Sequence, residues 1–273
     1  MTFARNSLVR DMQFRGNFWI ECLSSTSWVL MNLGFYLLVF QYARELGAGS
    51  GWGKYEFFVF LSTTMFVNSL VQAFFMPNAE EFSELIRTGG LDFALLKPID
   101  TQFLVSLQKV SWSSLSNLIV GLVLLIYSMF RLVTRPENPL QLAFYQPLLY
   151  VFYVLCGVLM MYSLMISLSA TSIWLGRNQT LYDFWFYITN FSRYPMEIYE
   201  GRVGTPLRHF FTWIIPVLVV VNVPARLMVR PLRLDSPGDW GLPAFALLAT
   251  VASLVASRWI FQRALLSYRS ASS

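Results

Sequence analysis

The sequence predicts an all-α protein that crosses a membrane six times. Of its 273 residues, 56% are hydrophobic and only 13% are charged, whereas an ordinary soluble domain has about 25% charged residues. The apolar residues lie in long uncharged runs, while a soluble core spaces them at helical or strand intervals. This composition excludes a soluble globular protein. The 20 Lys and Arg residues form no basic stripe with interleaved aromatics, which disfavours nucleic acid as a partner.

Five apolar runs are long enough to cross a bilayer, because its hydrocarbon core of about 30 Å needs about 20 apolar residues in a helix. These runs are 22–43, 57–76, 111–130, 147–175 and 240–257. Ahead of the first run, Arg5, Arg10 and Arg15 alternate with apolar residues, and no apolar core of signal-peptide type precedes residue 18. We therefore expect that no leader is cleaved.

The stretch between 176 and 233 is harder to assign. Segment 208–229 is apolar but is broken by two prolines, and segment 181–200 carries four residues that are unusual in a span: Asp183, Arg193, Pro195 and Glu197. We expect one segment to span the membrane and the other to enter and return. The resulting six spans place both termini on one side.

The charges of the short loops favour cytoplasmic termini. Half of the 20 Lys and Arg residues fall on the side of the termini, which by itself is a tie. Six of the other ten lie between Arg193 and Arg233, around the ambiguous stretch. Without these six, the positive-inside rule favours termini inside by ten to four.

Motifs that carry chemistry are scarce. The segment GAGSGWGKY at 47–55 fails as a phosphate-binding loop, because Ala48 stands where the first Gly belongs and Tyr55 stands where Ser or Thr is needed. We interpret it as a short turn between two spans. His209 is the only histidine in the sequence, so we expect no metal site and no catalytic residue.

The segment PNAEEFSELIRTGG at 77–90 predicts a short amphipathic helix over 78–88. Asn78 is a candidate N-cap, and Gly89 with Gly90 is typical of a helix end. An apolar stripe of Phe82, Leu85 and Ile86 lies apart from most of the charged residues, which are Glu80, Glu81, Glu84 and Arg87. The pattern fits a solvated interfacial helix or a docking helix for a soluble partner, and both remain open.

Polar side chains inside the spans are mostly amides. Such groups line a transport pathway or join helices by hydrogen bonds, and the sequence does not choose between these roles. The tentative pathway residues are Asn32, Asn68, Gln72, Asn117 and Asn190. Ser163, Ser167 and Thr171 recur at intervals of four and allow close helix packing. The absence of a buried carboxylate relay argues against an ion-driven secondary transporter.

The order of elements resembles the membrane subunit of type-2 ABC exporters, with an amphipathic N-terminal helix at 1–17. Segment 86–108, IRTGGLDFALLKPIDTQFLVSLQ, is similar to the pattern Arg-x-Gly-x-Leu-Asp-x-x-Leu-x-(Lys/Arg)-Pro of the small single-domain branch, the ABC-2 family transporter proteins. Segment 192–229 is similar to that branch's Arg-Tyr-Pro followed by a Pro-broken apolar run that ends in Pro-Ala. The topological likeness covers the whole chain, so 1–273 is expected to be a single permease domain.

This resemblance implies a specific arrangement. Helix 78–88 would be a cytoplasmic coupling helix that docks on a nucleotide-binding ATPase subunit, which would hold the ATP and Mg that this chain does not bind. Segment 208–229 would be a re-entrant hairpin, and 181–200 the fifth span. A second permease subunit, identical or homologous, would complete the pathway. The docking residues implied are Glu80, Glu81, Phe82, Glu84, Leu85 and Arg87.

The function expected from the resemblance is export. The permease would sit in the plasma (inner) membrane of a prokaryote and move an amphiphilic or drug-like substrate outward. Three alternatives stay open: a lipid-modifying membrane enzyme that uses Glu80, Glu81 or Glu84 as base, a channel with no ATPase partner, and a structural membrane scaffold. The lack of filter-like charged sequences argues against a channel, and the lack of a catalytic cluster argues against an enzyme.

Overall fold

The computed structural model describes residues 7–9, 15–47, 49–175, 179–230 and 237–272. It is 82% helical and has no strands among these residues, which confirms the all-α prediction. The predicted N-terminal helix at 1–17 lies mostly outside the described residues; within it, 7–9 and 15–17 are helical.

Twelve α-helices follow one another along the described part of the chain. They are α1 (Arg15–Tyr42), α2 (Lys54–Phe74), α3 (Met76–Arg87), α4 (Gly90–Leu95), α5 (Thr101–Leu107), α6 (Ser116–Val133), α7 (Gln146–Ala170), α8 (Ser172–Leu175), α9 (Gln179–Asn190), α10 (Gly201–His209), α11 (Val217–Val229) and α12 (Pro237–Ser272). Three 3₁₀ turns lie at Ser113–Leu115, Phe191–Arg193 and Met196–Ile198, and a π-helical turn at Phe210–Ile214.

Five helices are long and apolar enough to cross a membrane, and a bent helix pair brings the count to as many as six. The five are Gly16–Tyr42, Lys54–Arg87, Ser113–Val133, Gln146–Trp174 and Asp239–Tyr268. They coincide with the five uncharged runs of the sequence. The prediction of a polytopic helical membrane protein is confirmed, and the count of six spans stays a prediction.

The core lies where α7, α11 and α2 pack together. α11 is buried along almost its whole length, with Leu218 and Ala225 fully inaccessible. Its contact with α7 depends on Gly157, because a Cβ at this position would lie 2.7 Å from the backbone oxygen of Val220. In α1, by contrast, only 6% of the most apolar window is buried. The surface of α1 is therefore left for lipid or for another chain.

The predicted fifth span at 181–200 is not one continuous helix. α9 ends at Asn190, and the chain becomes extended at Tyr194, where φ is −124° and ψ is 148°. Pro195 follows, and a residue before proline is biased towards the extended region. The 12 residues of α9 rise about 18 Å, short of the bilayer core. The helix alone cannot cross, and the rest of this segment continues as two 3₁₀ turns.

The predicted re-entrant segment at 208–229 contains a sharp bend. The helical stretches Gly201–Ile214 and Val217–Val229 meet at 88° around Ile215 and Pro216. The chain before this bent pair lies close to α11, since Glu197 forms an ion pair with Arg226. These contacts are typical of a hairpin that starts near Gly201 rather than at 208, and re-entry stays a prediction.

Candidate functional site

The apolar stripe of α3 faces the protein itself. Phe82 is fully buried, and Leu85 and Ile86 are half-buried against the same cluster. The Phe82 ring packs on Phe261 of α12, with ring centroids 5.5 Å apart. Leu91 of α4 is also fully buried there. Phe82 is therefore inaccessible to a partner protein. Its buried side chain packs α3 against α12.

The charged side of α3 faces outward. Glu80, Glu84 and Arg87 are exposed, and Glu84 forms an ion pair with Arg87 one turn later. Glu81 is half-buried and pairs with Lys109 at 2.8 Å. Among the predicted docking residues, the exposed set is therefore smaller than the sequence pattern suggested.

Asn78 does not cap α3, contrary to the sequence prediction. The helix starts at Met76 as a near-continuation of α2, and Asn78 lies within its first turn, almost fully buried. Its amide donates to the backbone oxygens of Phe74 and Lys109, both at 2.7 Å, and accepts from the Lys109 N–H at 2.7 Å. Asn78 therefore makes long-range hydrogen bonds in place of a helix cap. These bonds connect the start of α3 to Lys109, just after α5.

The end of α3 follows the predicted glycine signal. Gly89 adopts a left-handed conformation with φ of 72°, which glycine tolerates without the penalty of a Cβ. The chain then turns directly into α4. Because of this turn, α3 and α4 form one connected surface at the end of the helical bundle.

α4 lies near the part of α12 that follows Arg258. The uncharged run of α12 ends at Arg258, which donates to Asp100 at 2.9 Å and to Gln102 at 3.0 Å. The hydrogen bond from Arg258 lowers the pKa of Asp100 below its usual value. α4 approaches α12 further along, where Leu91 and Phe261 lie in one buried cluster.

The exposed apolar side chains of this region were missed by the sequence analysis. Phe93 is 74% exposed and Leu96 is 81% exposed, next to the exposed Lys97. Together with Glu80, Glu84 and Arg87 they form what we call the α3–α4 surface. The Gly-Gly turn that precedes them and the Lys-Pro that follows them are sequence signals of such a short protruding element.

The five candidate pathway amides differ in their hydrogen bonds and in their burial. Asn117 donates to Ser25 of α1, and Asn32 donates to the Trp28 backbone oxygen of its own helix at 2.8 Å. Asn68 and Asn190 are half-buried, and Gln72 is exposed on α2. Asn117 thus joins two helices, and the pathway role of the five amides stays a prediction.

A cavity of about 240 Å³ lies next to the bend between α10 and α11. Its wall comes from α7, α12 and the bend, and includes Ile214, Pro216 and Ser253. Ser163 and Ser167 of the small-residue stripe also line it, and their hydroxyls donate to backbone oxygens of their own helix. The lining contains no charged residue, so the cavity suits apolar or weakly polar groups.

These features define a multi-pass helical membrane protein with an exposed surface beyond one end of its bundle. The family model described as ABC-2 family transporter protein matches residues 26–272, and the chain belongs to this family. The family predicted from the two sequence motifs is thereby confirmed. No curated protein and no solved structure matches the chain.

Proposed function

We propose that this chain is the permease subunit of an ATP-driven exporter that moves an amphiphilic or drug-like substrate outward. Membership of the ABC-2 transporter family over residues 26–272 supports a permease role and implies an ATPase partner. The observation that carries the proposal further is the α3–α4 surface, where the exposed apolar side chains of Phe93 and Leu96 lie near exposed charged residues.

The ATPase would bind the α3–α4 surface. Exposed aromatic and aliphatic side chains such as Phe93 and Leu96 are the usual anchors of a protein interface when they fill a pocket on the partner. The charges of Glu80, Glu84 and Arg87 around them suit the polar rim of such an interface. Two contacts would hold this surface in place: the ion pair of Glu81 with Lys109 and the packing of Phe82 on Phe261.

Packing offers a route by which movement of this surface would reach the membrane. Phe82 and Leu91 share one buried cluster with Ile166 of α7 and Phe261 of α12. Asn78 adds two hydrogen bonds to the chain that leads into α6. Because close-packed interiors transmit strain, a displacement of α3 and α4 would act on the ends of several spans together.

ATP would be hydrolysed in the partner, since the chain has no phosphate-binding loop. The carboxylates considered as bases for a lipid-modifying enzyme have other partners here: Glu84 pairs with Arg87, and Glu81 with Lys109. A second permease subunit would cover α1, whose apolar surface is scarcely buried. The complex would lie in a prokaryotic plasma membrane with both termini in the cytoplasm.

The test is purification of the chain in mild detergent from its native host, followed by an ATPase assay on the complex. Wild-type chain should bring down a stoichiometric ATPase. Leu96→Arg should abolish its recovery, because a charge replaces an interface anchor. Phe144→Arg is the matched control, since Phe144 is 96% exposed at the opposite end of α7. An ATPase retained by Leu96→Arg, or absent from the wild type, would contradict the proposal.

A further inference from the structure

Three arginines gather at the end of the bundle opposite the α3–α4 surface. Arg226 of α11 is mostly buried and forms an ion pair with Glu197. Arg208 approaches the sulfur of Met196, the neighbour of Glu197 in the chain, at 3.9 Å, and Arg230 lies one helical turn after Arg226, with its N–H donating to the Arg226 backbone oxygen at 2.8 Å. We call Arg208, Arg226 and Arg230 the arginine cluster. Glu197 is the only carboxylate in an ion pair with it among the described residues.

The loop between α1 and α2 holds Arg230 in position. Its guanidinium donates to the Ser50 backbone oxygen and lies 5.7 Å from the centre of the Trp52 ring. Gly51, at φ of +71°, leaves room for it, because a Cβ there would lie 2.6 Å from a guanidinium nitrogen. Ser50, Gly51 and Trp52 of this loop thus hold an arginine in place, a role that the sequence alone did not suggest.

The charges in this cluster do not balance. Glu197 forms an ion pair with Arg226, and among the described residues no ion pair joins a carboxylate to Arg208 or Arg230. Like charges this close repel one another. Glu45, on the same loop, accepts the Gly51 amide hydrogen instead. An anion bound between the arginines would remove this excess of positive charge.

Two buried N–H donors, one on Arg226 and one on the Trp52 ring beside Arg230, also lack hydrogen-bond partners. The Trp52 ring is fully buried, and its Nε1–H makes no hydrogen bond; the Nε–H of Arg226 is likewise buried and unpaired. The second oxygen of Glu197 is also unpaired, and it belongs to the carboxylate that pairs with Arg226. An unmade hydrogen bond of a buried polar group is expensive. Two unpaired N–H donors beside excess positive charge are the chemistry of an oxyanion site.

We propose that the arginine cluster binds an oxyanion of the phosphate type. Guanidinium groups recognise phosphate through pairs of parallel N–H···O bonds, and Arg230 is exposed, so the cluster can be reached from outside. The phosphate could belong to a lipid headgroup or to a soluble anion. This site stands apart from the proposed ATPase contact and does not depend on it.

The test measures binding on the purified chain in nanodiscs. One arm titrates inorganic phosphate into nanodiscs of zwitterionic lipid, with chloride at equal ionic strength as reference, and follows the thermal midpoint of unfolding. The other arm replaces part of the lipid by phosphatidylglycerol. Ligand that binds only the folded state raises the midpoint in a saturable way. A rise in the first arm identifies a soluble anion, and a rise in the second arm alone identifies a headgroup.

Substitutions test whether the arginine cluster is responsible for the rise in the thermal midpoint. Arg208→Gln should weaken apparent affinity about tenfold, as should the double change Arg226→Gln with Glu197→Gln, which leaves no buried charge unpaired. Arg202→Gln is the control, because Arg202 is an exposed arginine on the same helix as Arg208. No saturable rise in either arm, or equal affinity in the cluster variants and the wild type, would overturn the proposal.

Discussion

Replacing Phe82 by Ala should loosen α3 without unfolding the membrane part of the protein. The ring is fully buried against Phe261, in a small cluster that is separate from the main hydrophobic core. Truncation of a buried Phe to Ala costs about 3–5 kcal/mol, the sum of lost burial and of the cavity left behind. Since α3 and α4 are short and end the bundle, this loss should appear as local opening.

Hydrogen exchange detected by mass spectrometry measures this opening directly. A factor of ten corresponds to about 1.4 kcal/mol, so amides of α3 should exchange about two to three and a half orders of magnitude faster in Phe82→Ala. Peptides from α7 and α11 should keep their protection. The loosened helix should also bind the ATPase less well.

Phe93→Ala provides the matched control, because it removes the same side chain from an exposed position on α4. It should leave exchange in α3 nearly unchanged and still weaken ATPase binding. If α3 exchanges at the wild-type rate in Phe82→Ala, then Phe82 does not anchor the helix and the proposed route to α12 fails.

Three further changes test the packing. Gly157→Ala should lower the thermal midpoint, because its Cβ would meet the α11 backbone and overpacking costs about 1–3 kcal/mol. Asn78→Ala leaves the buried amide and carbonyl of Lys109 unpaired, at about 1–3 kcal/mol for each group, and differential scanning fluorimetry should detect it. Asp100→Asn removes an exposed ion pair worth less than about 1 kcal/mol. Because the pKa of Asp100 is lowered from 3.8, its contribution is present above that pH and fades on acidification, so wild type and variant should converge in midpoint as pH falls below 3.8.

Gly34→Ala is the control for the Gly157 change. Gly34 lies in α1, and a Cβ there meets nothing within 4 Å. Because Ala favours helix over Gly by about 1 kcal/mol, this variant should be neutral or stabilised. A Gly157→Ala variant that behaves in the same way would show that α7 and α11 are not in the close contact described above.

The sequence predicted those features that depend on composition or on short-range geometry. Uncharged runs located the long helices, because a bilayer demands a minimum length of apolar helix. Gly89 located the end of α3, because a left-handed residue favours glycine wherever it occurs. Both signals are local in the chain, and neither requires knowledge of the partner helices.

Features set by tertiary packing could not be predicted. Asn78 has the residue type of an N-cap but is used in a contact 31 residues away. The stripe through Phe82 revealed that α3 has an apolar face, yet periodicity cannot tell whether that face meets its own protein or a partner. The arginine cluster joins the α1–α2 loop to Arg230, 180 residues apart in sequence, and no local pattern predicts such a pairing.

The central claim is that an ATPase binds the α3–α4 surface and drives the permease through it. Site-specific cross-linking from α4 tests this claim most directly. Leu96→Cys, made with the two native cysteines replaced by Ser, would carry a photoactivatable cross-linker in native membranes, with Phe144→Cys as the control. The account predicts a cross-link from position 96 to a protein with a nucleotide-binding loop, with a yield that changes on adding ATP, and no such product from position 144. Cross-links from position 96 to lipid alone, or the same products from both positions, would contradict it.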